Sequence, residues 1–324
     1  MNILVVRTDK LGDFITALPA MYVLKHHDPQ NRIVACVAPL NEALATACDF
    51  IDEVIVDRGE PLLTFTAQLR KAKIDVSITL FSNTRVAMAQ WLARIPKRIA
   101  PATKVAQVFY TVRVKQRRSR VEMAEYEYNL ALTKVLVENI NLTLPYPLYH
   151  FPLAEIEAVY HDFIHTNEIT RRVIGFHPGF GGSSDANLTV EEYVELIKIV
   201  SQDKKYQAVM TFGPGEEALR EECLQLSKGL DVVFYTSTNG IVAFTKLLAS
   251  FKLFVSTSTG TYHLAALVNT PTMTFFGDSL FASVKRWKAV NEEEKQHPFM
   301  LPVEHALRLD KVAEIKKELL KLIK

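Results

Sequence analysis

Apolar runs and helical patterns alternate along this chain, and they do so twice. In the first half, strand-like runs at 3–7, 32–37, 53–57 and 75–80 are separated by helical patterns near 16–26, 40–48, 61–72 and 83–93. In the second half, runs at 173–176, 207–212, 231–235, 252–256 and 272–276 are separated by helical segments near 189–201, 216–227, 240–249 and 262–268. Strands joined through helices make parallel sheets covered on both faces. With 324 residues, 48% of them hydrophobic, the chain can bury two ordinary cores. Pro145 and Pro147, in the segment Leu142 to Leu148, disfavour both helix and central strand and suggest a boundary. The expectation is an α/β protein of two Rossmann-like domains, 1–155 and 156–324, whose parallel sheets face a central cleft.

A net charge of +2 is mild, so attraction to anionic partners must come from local clusters. The three cysteines, Cys36, Cys48 and Cys223, are scattered, odd in number and without metal-ligand spacing, which argues for reduced thiols. No apolar stretch is long enough to span a membrane, and Met1-Asn2 runs straight into a strand. The expectation is a soluble cytoplasmic protein.

The loop after the first strand, Arg7-Thr8-Asp9-Lys10-Leu11-Gly12-Asp13, carries the leading catalytic candidate. The first strand of an open α/β sheet delivers its loop to the crevice where such folds bind ligands, so the Asp13 carboxylate is well placed for chemistry. Pro19 makes the following helix either kink or start near Ala17 with Thr16 as its N-cap. On the first reading Asp13 is itself an N-cap. Arg7 and Lys10 read equally well as solvated loop cations.

Three polar loops follow strands in the second half. His177-Pro178-Gly179-Phe180-Gly181-Gly182-Ser183-Ser184 could let backbone amides and the hydroxyls of Ser183 and Ser184 approach a phosphate, and it precedes a Thr189/Glu192 capping box. His177 reads as structural or functional alike. Gly213-Pro214-Gly215-Glu216-Glu217 offers a carboxylate to the two hydroxyls of a ribose, or negative charge to a helix N-terminus. In Ser256-Thr257-Ser258-Thr259-Gly260-Thr261-Tyr262-His263 a strand turns through hydroxyls and one glycine into a helix, an anion site suited to a diphosphate or simply a well-capped helix. Three such loops in one domain point to one site.

The set Lys10-Leu11-Gly12-Asp13 through Pro19, His177-Pro178-Gly179 and Ser258-Thr259-Gly260-Thr261-Tyr262-His263-Leu264-Ala265-Ala266 resembles glycosyltransferase family 9, the ADP-heptose:lipopolysaccharide heptosyltransferases. The resemblance covers nearly the whole chain. It implies a GT-B fold, an acceptor bound mainly by the first domain and ADP-L-glycero-D-manno-heptose bound mainly by the second. It also implies inverting, metal-independent transfer to the inner core of lipopolysaccharide at the cytoplasmic face of a Gram-negative inner membrane. Asp13 would be the general base, and Ser258, Thr259, Gly260 and Thr261 would line the donor site, the last three holding its diphosphate. Glu216, with Glu217 as substitute, would accept the ribose hydroxyls. His263 would reach the donor or support the loop from inside.

Two residues depart from the family pattern. Ser258 stands where many members have an Asp that contacts the donor sugar, and Asp185-Ala186-Asn187 stands where they have a Lys. Lys10 or Arg286, of the pair Arg286-Trp287, would have to replace that charge. These departures motivate two alternatives, a different nucleotide-sugar donor and a nucleotide-sugar-binding protein that has lost catalysis. A nicotinamide-dependent oxidoreductase fits only the strand pattern, because Gly-x-Gly-x-x-Gly is absent after the first strand.

The run Arg113 to Arg120 holds five cations in eight residues, and Arg117, Arg118 and Arg120 are candidates for a lipid-anchored acidic acceptor or for peripheral contact with the membrane. The bland reading is a solvated loop. Nucleic-acid binding is not expected, since no recognised module accompanies the cluster. Residues 307–324 read as an amphipathic helix with Val312, Ile315, Leu319, Leu322 and Ile323 on one side, which in GT-B enzymes often crosses back to the first domain. His161 and His165 lack a third ligand and no Asp-x-Asp is present, so neither metal nor cofactor is expected.

Overall fold

The computed structural model of the chain describes residues 1–103, 105–180 and 186–324. They form two compact units, Met1–Pro145 and Tyr146–Lys324. The division falls inside the proline segment, so residues 146–155, expected in the first domain, join the second.

The first unit runs β1 (Asn2–Arg7), α1 (Leu11–Ile15), α2 (Leu18–His27), β2 (Arg32–Val37), α3 (Glu42–Ala47), β3 (Glu53–Val56), α4 (Leu62–Lys71), β4 (Val76–Thr79), α5 (Thr84–Leu92), β5 (Lys97–Pro101), β6 (Val112–Val114) and α6 (Glu125–Leu136). The second runs α7 (Leu153–Thr166), β7 (Arg172–His177), α8 (Val190–Ser201), β8 (Tyr206–Phe212), α9 (Glu217–Leu226), β9 (Val232–Thr236), α10 (Gly240–Leu248), β10 (Leu253–Thr257), α11 (Gly260–Leu267), β11 (Thr272–Gly277), α12 (Val284–Trp287), β12 (Gln296–Leu301) and α13 (His305–Leu322).

Each unit contains one six-stranded sheet, ordered β3-β2-β1-β4-β5-β6 in the first and β12-β11-β10-β7-β8-β9 in the second. Every neighbouring pair is parallel. The two orders are the same Rossmann order read from opposite ends. In each sheet the order reverses beside the unit's first strand, and the crevice at that reversal, at the carboxyl ends of the strands, is where such sheets bind ligands. Register fixes the partners there: Val6 lies opposite Thr79 of β4, and His177 opposite Ser256 of β10.

The central strands are apolar because both faces are covered; β1 buries five of its six residues and β8 all seven. In the second unit Tyr193, Leu196, Ile197 and Val200 of α8 pack with Phe176, Met210 and Phe275 of the sheet. The C-terminal helix, expected to cross back to the first domain, is part of this core: Val312, Ile315, Leu319 and Ile323 are all buried in it. At roughly 1.5–3 kcal/mol for each such side chain, that face accounts for the helix's place. Arg308 pins its start, donating to the Asn187 carbonyl (2.8 Å) and to Glu192 (2.6 Å).

The start of the first α2 turn also differs from the expectation. Ala17 is its N-cap and Pro19 its second residue, where no amide is needed. The Thr16 hydroxyl instead donates to the Asp13 carbonyl at 2.7 Å. No helix among the described residues is long and apolar enough to cross a membrane. Cys36, Cys48 and Cys223 are free and buried.

Candidate active-site elements

Asp13 lies within α1, a single turn that replaces the expected loop. Lys10, exposed, occupies the N-cap position, so Asp13 is not the cap. Its carboxylate turns toward the end of β1, where it pairs with Arg7 Nη2 and keeps 18% side-chain exposure. Arg7, which sequence alone leaves open between a functional and a solvated cation, is buried, with 3% of its side chain exposed. Its Nε donates to Asp9 Oδ1 at 2.8 Å and its Nη1 to Glu125 Oε1 of α6 at 3.1 Å. Arg118 pairs with the same Glu125 oxygen and lies 5.5 Å from the Tyr128 ring. The cluster therefore holds three carboxylates against two guanidiniums. Asn129 ties α6 to α1 by donating to the Thr16 carbonyl at 3.0 Å.

This arrangement shapes the titration of its members. Burial, aided by the charge of Asp13 and opposed by Arg7, pushes Asp9 up to about 6. Burial by itself would lower the Arg7 pKa, but Asp9, Asp13 and Glu125 more than reverse it, and the guanidinium stays charged. A fixed cation of this kind fixes where Asp13 points and leaves its second oxygen for another partner.

Of the basic run, Arg118 belongs to this buried network, whereas Arg117 and Arg120 are exposed, Arg120 lying 3.9 Å from Glu122. Sequence reasoning missed Arg7, Asp9 and Glu125 as a unit. The signal was present in an arginine that closes an apolar central strand and has carboxylates two and six residues on, because a cation at that place must be paired.

In the second unit, Glu216 follows β8 and its carboxylate lies against Gly179, two residues beyond the end of β7. Oε2 accepts from the Gly213 amide at 2.6 Å, and Oε1 lies 3.9 Å from His177 Nε2. A Cβ on Gly179 would stand 2.0 Å from Oε1, so the carboxylate can hold this position only while residue 179 lacks a side chain. His177 is buried, and its Nδ1–H donates to the Thr211 carbonyl at 2.9 Å. Burial lowers its pKa, against the pull of Glu216, so its Nε2 carries a lone pair. Glu217, the first residue of α9, accepts from the Gly215 amide at 3.2 Å in the preceding turn, a contact different from those of Glu216.

Thr259 is the N-cap of α11, and Gly260, Thr261 and Tyr262 supply amides that the helix itself cannot satisfy. The Thr259 and Thr261 hydroxyls lie 2.9 Å apart, so one donates to the other and a proton remains for a ligand. Ser258, half-buried, donates its amide to the Phe275 carbonyl at 2.9 Å. Ser183 and Ser184 lie outside the described residues, although the capping box beyond them is present: Glu192 N donates to Thr189 Oγ1 at 3.2 Å and Thr189 N to Glu192 Oε2 at 2.8 Å.

His263 points inward. It is buried beside the Tyr262 ring (4.7 Å) and the Trp287 ring (6.3 Å), and burial lowers its pKa to about 4. Arg286 stacks on Trp287 at 4.8 Å and on Phe281 at 5.4 Å, which brings its charge into the aromatic cluster around the first turn of α11. Among the described residues no three His, Cys, Asp or Glu side chains come together in a way that could hold an ion.

Residues 62–312 match the model of glycosyltransferase family 9 (heptosyltransferase). A Haemophilus influenzae protein described as "Putative glycosyltransferase" is 35% identical over 310 residues, 93% of this chain and 89% of that protein. The fold is similar to E. coli ADP-heptose LPS heptosyltransferase II, with TM-score 0.79, 20% identity and 99% of both chains covered. It is also similar to E. coli heptosyltransferase WaaC with ADP, with TM-score 0.71, 17% identity and 98% and 100% of the two chains covered. These likenesses place the two Rossmann-like units in the GT-B class. The chain belongs to glycosyltransferase family 9, the heptosyltransferase family, and is a glycosyltransferase.

Proposed function

We propose that this enzyme transfers heptose from ADP-L-glycero-D-manno-heptose to a hydroxyl of the lipopolysaccharide inner core, with inversion and without a metal. Asp13 takes the proton from the acceptor hydroxyl as that oxygen attacks the anomeric carbon. The bond from that carbon to the diphosphate breaks, and ADP leaves. A carboxylate can do this within hydrogen-bond reach of the hydroxyl, and Arg7 supports the assignment by holding one Asp13 oxygen and so aiming the other. Gly260, Thr261 and the hydroxyl pair of Thr259 and Thr261 would receive the diphosphate, stabilising the charge that grows on it. Glu216, buttressed by Gly213, would accept the ribose hydroxyls. Lys10, Arg117 and Arg120 are exposed cations suited to an acidic, lipid-anchored acceptor at the cytoplasmic face of the inner membrane.

The observation that carries this reading is the coincidence of the two groups with the two crevices. Among the described residues the strand order of each sheet reverses beside the first strand of its unit, and Asp13 and Gly179 follow those two strands, with the Glu216 carboxylate against Gly179. Ser258 favours a second reading, a related nucleotide sugar as donor, because a neutral hydroxyl stands at the position where a carboxylate meets the sugar in many relatives. A thermal-shift panel of ADP-, UDP- and GDP-linked sugars decides between them. ADP-heptose should raise the melting temperature. No shift with it beside a clear shift with a UDP-sugar would reject the donor proposed.

A further inference from the structure

Between Val76 and Val121 the chain has ten Lys and Arg and no Asp or Glu, although the whole protein balances to +2. This acid-free stretch forms β4, α5, β5, a single-turn segment at Val105–Phe109 and the edge strand β6. On its outer side Trp91, Val105 and Val108 are 51%, 74% and 59% exposed. They form one patch. Ala87 of α5 and Ala106 are buried together with Ala100 and Tyr110, Phe109 packs on that cluster, and Trp91, one turn beyond Ala87, meets the Phe109 ring at 5.9 Å. Arg94, Arg113 and Lys115 are exposed in the segments on either side of it.

Folding does not need these three side chains outside, since their neighbours in sequence already fill the cluster beneath. A tryptophan and two aliphatic residues bordered by cations are the composition of a surface that meets an anionic bilayer. We propose that this face docks on an anionic lipid surface, with Trp91, Val105 and Val108 entering the headgroup layer and Arg94, Arg113 and Lys115 meeting lipid phosphates. Single-stranded nucleic acid would use the cations and the tryptophan, but it offers nothing to two exposed valines. The register of β6 on β5 then carries the chain from this patch to Arg118 and the Asp13 cluster. The patch itself is argued without the transfer reaction; only its usefulness for a lipid-anchored acceptor rests on the function proposed above.

Co-sedimentation of the full chain with vesicles tests this. Vesicles of phosphatidylcholine mixed with phosphatidylglycerol should bind it, and vesicles of phosphatidylcholine alone should bind it far less. The triple variant Trp91→Ser/Val105→Ser/Val108→Ser should lose about tenfold or more in partitioning, as withdrawal of that apolar area from lipid implies. Its melting temperature and its turnover on a soluble, deacylated saccharide acceptor should not change. Undiminished binding by the triple variant overturns the proposal, as does binding of an RNA homopolymer without binding of anionic vesicles. Vesicle binding as expected together with no transfer to any acceptor would leave this surface in place and reject the catalytic reading instead.

Discussion

Replacing Gly179 by alanine isolates the Glu216 carboxylate from everything else in the second unit. The new Cβ would stand 2.0 Å from Oε1, 2.6 Å from Cδ and 2.9 Å from Oε2, so the carboxylate must retreat by about 1 Å or more. Retreat breaks the 2.6 Å bond from the Gly213 amide, a charge-assisted hydrogen bond worth roughly 1.5–3 kcal/mol. If Glu216 receives the ribose hydroxyls, that loss reappears as a roughly 10- to 100-fold rise in the Kd for ADP. Calorimetric titration with ADP and with inorganic pyrophosphate separates the cause, because only ADP carries a ribose. Gly179→Ala should weaken ADP and leave pyrophosphate alone, and adding Glu216→Ala should bring little further loss, since both changes remove the same contact. Equal weakening of the two ligands, or an unchanged Kd for ADP, would refute the argument from this glycine to ribose recognition.

The remaining predictions concern the charged and titrating groups. Asp13→Asn should lower turnover by about two to four orders of magnitude while donor affinity stays near wild type; steady-state kinetics with unchanged kcat would remove the base assignment. Arg7→Met should cost about 3 kcal/mol or more in urea unfolding, because it strands the Asp9 and Asp13 carboxylates and leaves Glu125 with Arg118 alone. Asp9 has a native pKa above its unfolded value, so its contribution to stability is present below about pH 4 and is lost as pH rises through about 6. Asp9→Asn should accordingly gain on wild type, by up to about 3 kcal/mol, between those limits, read as melting temperature against pH. His263 runs the other way: its native pKa lies below the unfolded one, so its contribution is present above about 6.5 and is lost as pH falls toward about 4. His263→Gln should flatten that acid limb. Transfer activity should survive chelator, and loss that a divalent cation restores would contradict the metal-independent reading.

What the sequence revealed and what it hid follow one physical rule. The central strands were legible because strands covered on both faces must be apolar runs, as β1, β2, β8 and β10 are. β5, β6 and β12 were not, since Lys97-Arg98 opens one, Arg113 interrupts the next and Pro298 sits in the last; such residues are tolerated near a sheet edge and carry no periodic signal. The stripe on α13 was legible, but periodicity gives a helix its buried face without naming the surface it meets, here the core of the second unit. Asp13 and Glu216 could be picked out as carboxylates at strand ends. The ion cluster around Arg7 could not, because it joins residues more than a hundred positions apart.

The Rossmann order occurs twice, once in each unit. In the proposed reaction one copy supplies the proton acceptor and the other the grip on the nucleotide, each rooted at the reversal of its own sheet. No residue of one set belongs to the framework of the other. Acceptor choice can thus drift through the loops after β1 and around α6 while the nucleotide grip is inherited intact, and a family built this way can diversify its products one half at a time.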